Sequence, residues 1–153
     1  MKERFYADDR GVSITVGYAL NLVVATLLIA GVLSATGGMV EDRRDSAIRT
    51  ELSVLGERVA SDLMAADRLA SVGGTTAVAV ETTLPRKVAA TSYEIEIRTS
   101  PAEIVLRSSN PEVTVTVEFH HETAVQATTV RGGDLRVVLN SGASPNRLEV
   151  TKA

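Results

Sequence analysis

Hydrophobic positions along this chain change their period twice. From Gly11 to Val40 there is no Asp, Glu, Lys or Arg, and 12 of the 22 positions from Val12 to Leu33 are Leu, Ile or Val. As a helix at about 1.5 Å per residue, this densest part is about 33 Å long, enough to cross a hydrocarbon core of about 30 Å. Each aliphatic side chain favours insertion by about 0.3–0.6 kcal/mol, so together they contribute on the order of 5 kcal/mol, more than Asn21 and the hydroxyls take back. A secretory core region is about 7–15 residues long and precedes a small-x-small cleavage site, so this segment is too long to be an ordinary one. Residues 12–40 therefore read as a helix that enters the membrane.

Beyond the polar patch Glu41-Asp-Arg-Arg-Asp45 the period stays helical, but only one face is apolar. Ile48, Leu52, Leu55, Val59 and Leu63 form a stripe that Ala66 and Ala70 continue, with Glu51, Glu57, Arg58, Asp62 and Arg68 opposite. Ser71-Val-Gly-Gly-Thr75 ends the run with glycines of the kind that terminate helices. The spacing predicts one long helix from Val12 to about Ala70, with Gly37-Gly38 as the place where it would bend. Residues 41–72 are its amphipathic part.

After Gly74 the period becomes two. Candidate strands are Ala77–Leu84, Tyr93–Arg98, Glu103–Arg107, Val113–Phe119, a weaker Ala124–Val130, Leu135–Leu139 and Leu148–Thr151. Short strands with short turns predict an antiparallel sheet with one solvated face over residues 75–153. Tyr93 and Phe119 are that region's only aromatics, so its core is small, and packing the stripe Ile48–Leu63 on the apolar face would complete it. The expected fold class is α+β: a long N-terminal helix on a single antiparallel head of five to seven strands.

Composition narrows the function classes. Without Cys there is neither a disulfide framework nor a thiolate metal site, and a net charge of −3 gives no basic field for nucleic acid. His120-His121-Glu122 is the one cluster suggesting a metal, but adjacent strand residues face opposite ways and no third His exists. No nucleophile sits on a recognisable elbow, and Gly132-Gly133 lacks a phosphate-loop context, so no catalytic, metal or cofactor residues are assigned. No Asn-x-Ser/Thr sequon occurs. Basic residues flank the apolar segment on both sides: Lys2, Arg4 and Arg10 before it, Arg43, Arg44 and Arg49 after it. Charge alone thus leaves the orientation open. So short a leader needs no translocation, which places the N-terminus inside and the head outside.

Asp9-Arg10-Gly11, followed by Val12-Ser-Ile-Thr-Val-Gly17 at the junction of a charged leader and a long apolar helix, resembles the start of a haloarchaeal type IV pilin-like protein. The resemblance implies that prepilin peptidase cuts at Arg10-Gly11-Val12, between Gly11 and Val12, removing leader 1–11. It covers residues 8–70 well and the head in outline. Two positions depart from the pattern. The fifth residue after the cut, Glu in bacterial pilins, is Val16 here, and Ile14-Thr15 stand where the common haloarchaeal start has Pro. This looks like a minor or divergent subunit.

What the resemblance implies is a structural role. The helix is first solvated by membrane lipid and is then buried against other pilin-like subunits in a cell-surface filament. Small residues at a spacing of four would allow close helix approach: Gly17, Asn21 and Ala25, Ala30 with Ser34, and Gly31 with Ala35. The expected partners are prepilin peptidase, sister subunits and lipid, with no nucleic acid. The alternative from the residues themselves is an uncleaved single-pass anchor carrying an extracytoplasmic binding or scaffold domain.

Overall fold

A computed structural model describes residues 9–72 and 77–153, with side chains from Ile14 onward. Its one helix, α1, spans Asp9–Ser71, starting three residues before the expected Val12. The helix runs uninterrupted through Gly37 and Gly38. The chain forms two compact units, one ending at Asp42 and the other Arg43–Ala153.

In the first unit every residue from Ile14 to Asp42 is exposed. The hydroxyls of Thr26 and Thr36 donate to the carbonyl oxygens of Leu22 and Val32, four residues back, at 2.7 and 2.8 Å. These two side chains thus satisfy their donors within the helix.

The second unit sets α1 from Arg43 onward against nine strands. They are β1 Ala79–Thr82, β2 Lys87–Val88, β3 Thr91–Thr99, β4 Ala102–Ser109, β5 Glu112–Glu118, β6 Ala124–Val125, β7 Thr128–Arg131, β8 Leu135–Asn140 and β9 Arg147–Lys152. They make two sheets instead of the single one expected. One has the order β1-β8-β9-β6, the other β2-β3-β4-β5 with β7 also on β3. The pairing is antiparallel except for β6, which runs parallel to β9. The weak segment Ala124–Val130 divides because Gln126 donates its N–H to the Leu148 carbonyl at 2.9 Å, so β6 joins one sheet while β7 pairs with β3 in the other.

Both sheets turn an apolar face to α1, giving an α+β fold with one core. Tyr93, Ile95 and Ile97 of β3 register with Ser108, Leu106 and Ile104 of β4, and all six are buried. From the other sheet Leu135, Val137, Leu148 and Val150 join the same cluster, with Ile48, Leu52, Leu55, Val59 and Leu63 of the helix. Val105 breaks the alternation by being buried on the outer face. It is 2% exposed and stands across from Glu96, whose carboxylate bridges Arg98 at 2.7 Å and Arg107 at 3.0 Å.

Candidate functional site

Two surfaces of α1 carry the candidate residues, and they differ in every physical respect. The apolar surface of the first unit presents Ile14, Val16, Leu20, Leu22, Val23, Val24, Leu27, Leu28, Ile29, Val32 and Leu33 without cover, Leu27 and Leu28 being 67% and 66% exposed. Exposing so large a contiguous apolar area is untenable in water. The helix here is long and apolar enough to cross a membrane. Gly17, Asn21, Ala25, Ala30, Gly31 and Ser34 all lie exposed on it, and a Cβ added at Gly17 or Gly31 would meet nothing within 4 Å. Packing inside this chain therefore does not explain either glycine. Arg10, Gly11 and Val12 fall in the helical backbone, but their side chains lie outside the described residues, as do Met1 to Asp8.

The second surface belongs to Arg43–Ser71. Its stripe is buried at all five expected positions, Ile48, Leu52, Leu55, Val59 and Leu63, with Ala60 and Ala66 beside them. Sequence reasoning missed Gly56, which lies on the same face. A Cβ there would stand 2.8 Å from both Leu106 Cδ1 and Val117 Cγ2, so glycine lets the helix approach the β3–β4–β5 layer at this turn.

Polar groups on α1 fasten the rest. Thr82 of β1 donates its hydroxyl to Asp62 at 2.8 Å, and the carboxylate of Asp67 accepts backbone N–H groups from Glu122 at 2.9 Å and Thr123 at 2.8 Å. Burial pushes the Asp67 carboxyl up. The two backbone donors and the nearby His121 more than offset this, and the group sits below its ordinary value. In the sequence Asp67 is one more acid on a helix, and only the fold shows it facing the segment after β5.

His120 is exposed, whereas His121 is half-buried, its ring 5.4 Å from that of Phe119 and its Nδ1 2.9 Å from the Thr123 carbonyl oxygen. Among the described residues no three His, Asp or Glu side chains gather as a metal site would require.

No curated protein and no solved structure matches this chain. One family model does, over residues 7–151, which takes in the apolar segment, the amphipathic stripe and all but the last two residues of the head. Apolar segment and head thus fall together within one family unit, and the chain belongs to that family of unknown function, DUF7266.

Proposed function

We propose that this protein is a structural subunit, minor or divergent, of a type IV pilus-like surface filament, assembling through its N-terminal helix. The observation that carries the reading is that α1 serves two solvents in sequence. Its uncharged first part is wholly exposed, and its later part supplies a full side of the head's core. Within a filament core, apolar helices of neighbouring subunits replace lipid around the first part without exposing it to water. Before assembly the protein is a single-pass membrane protein with the head outside.

The residue pattern Arg10-Gly11-Val12 also supports the reading, because it sets a cut that would leave the apolar helix at the mature N-terminus. The test is the N-terminus of the native protein, taken by mass spectrometry from membranes and from sheared surface material. A chain beginning at Val12 and present in sheared filaments is the expected result, and Gly11→Val should block both. A chain that keeps Met1 and never leaves the membrane would overturn the filament reading in favour of an anchored scaffold domain.

A further inference from the structure

One end of the β3–β4–β5 layer holds an open cleft of about 710 Å3 whose walls carry an unbalanced charge. Tyr93 organises it. The buried phenol donates to the Pro85 carbonyl at 2.7 Å, and the Gly132 N–H donates to the Tyr93 carbonyl at 2.9 Å. A Cβ at Gly132 would stand 2.5 Å from the Tyr93 ring, so only glycine lets the chain close down there. These bonds bring Arg86 and Arg131, the neighbours of Pro85 and Gly132, to the cleft beside Tyr93. Lys152, from the end of β9, and Arg107 of β4 complete its four cations.

Against them stand Glu94 and Glu112 in the lining and, just outside it, Glu96. Glu94 lies in register between Arg131 and Arg107, yet neither is within ion-pair distance of it, and Arg107 reaches Glu96 instead at 3.0 Å. Arg86, Arg131 and Lys152 therefore have no carboxylate partner among the described residues, in a chain whose net charge is −3. Ser108, 3% exposed, lines the same cleft with a buried hydroxyl oxygen that has no hydrogen-bond partner. A concave surface with surplus guanidinium groups suits an oxyanion, and the planar fork of Arg matches phosphate.

Position selects the source of that phosphate. Arg44 donates to the Thr91 hydroxyl at 3.3 Å, and Thr91 donates to the Asn110 carbonyl at 2.7 Å. The cleft's Ser92 and Ser109 are the next residues, so the cleft lies at the end of the layer beside Arg44, which in sequence is four residues after the uncharged segment stops at Val40. We infer that the cleft of Arg86, Arg107, Arg131 and Lys152 binds the phosphate of an anionic phospholipid headgroup. The inference rests on the apolar segment lying in a bilayer, and is independent of filament assembly.

The test uses the full chain in bilayer discs of phosphatidylcholine, with or without phosphatidylglycerol, following the arginine Nε–H signals by NMR. Phosphatidylglycerol should shift the Arg86, Arg107 and Arg131 signals saturably, while phosphatidylcholine alone and millimolar inorganic phosphate should not. Removing a cation near a charged membrane weakens binding about fivefold, so Arg86→Gln with Arg131→Gln should weaken it about 25-fold and Lys152→Gln alone about fivefold. Arg58→Gln with Arg68→Gln, outside the cleft, should leave it unchanged. Equal response to both lipids, insensitivity to the cleft substitutions, or equal occupancy by inorganic phosphate would each overturn the assignment. A chain that enters the discs but shows no binding overturns this inference alone. A chain that stays out of them overturns the membrane anchor as well.

Discussion

Asp67 shows how much one side chain on α1 can do for the head. It is 6% exposed, and its two oxygens satisfy the N–H groups of Glu122 and Thr123. Asp67→Ala leaves two donors unpaired and should cost about 1–3 kcal/mol for each buried donor that water does not reach. The pH dependence follows from the lowered carboxyl value. The folded state holds the carboxylate more readily than the unfolded chain does, so the stabilisation is fully present above about pH 4–5 and is lost as pH falls through the folded value. Denaturant titrations of the full chain in detergent should show the gap between wild type and Asp67→Asn constant at neutral pH and narrowing below about pH 4. A gap indifferent to pH would refute the role. Ala89 and Ala90 make a second residue-scale case, with φ of 44° and 67° in the two-residue turn between β2 and β3. Side chains with a Cβ resist that conformation by about 1–2 kcal/mol, and the turn type favours Asn-Gly. Replacing Ala89-Ala90 by Asn-Gly should raise stability by about 1 kcal/mol, after the extra freedom of the unfolded glycine is subtracted. An unchanged or lower denaturation midpoint would contradict the turn geometry.

Among the elements, α1 is the one that periodicity made most legible. The switch from an all-apolar surface to a one-sided stripe placed Ile48, Leu52, Leu55, Val59 and Leu63 correctly, because burial on one face of a helix leaves a mark every three or four residues. The strands with clear alternation were equally visible: β3 puts Tyr93, Ile95 and Ile97 inward as their spacing required. β2 was not, since it has two residues and its turn carries Ala-Ala where a hairpin signal would be Asn-Gly. The division into two sheets was also hidden, because partner choice is set by long-range hydrogen bonds such as Gln126 to Leu148, which leave no periodic trace. Of the two surfaces of α1, the buried stripe could be read residue by residue, whereas Gly56 could not, because its reason is the position of Leu106 and Val117 on other elements. Gly56→Val should therefore overpack this contact and destabilise the head by about 1–3 kcal/mol, seen as a melting temperature lower by several degrees. The same change at Gly37, where an added Cβ meets nothing within 4 Å, should leave the head's melting temperature unaffected.

At the scale of the molecule, the uncharged segment is long and apolar enough to cross a membrane, and the remainder folds as the head. A charged residue near the middle of a spanning helix opposes insertion by about 2.5–3.5 kcal/mol, a large share of the roughly 5 kcal/mol its aliphatic side chains supply. Val24→Asp should accordingly move much of the protein out of the carbonate-washed membrane fraction, while Val54→Asp, at an exposed position of the head's helix, should not. Equal retention of both variants would argue against insertion. Many surface domains hang from their anchors by a loose tether, and one proteolytic nick sheds them whole. In this protein Ile48 to Ala66 are at once the continuation of the helix that begins with the apolar segment and one wall of the folded head. A nick before Ile48, at the exposed Arg43 or Arg44, sets free a fragment that keeps that wall. A nick a few turns further on sets free a fragment that has lost Ile48 and Leu52 from that wall, so part of the apolar face of its sheets stands uncovered.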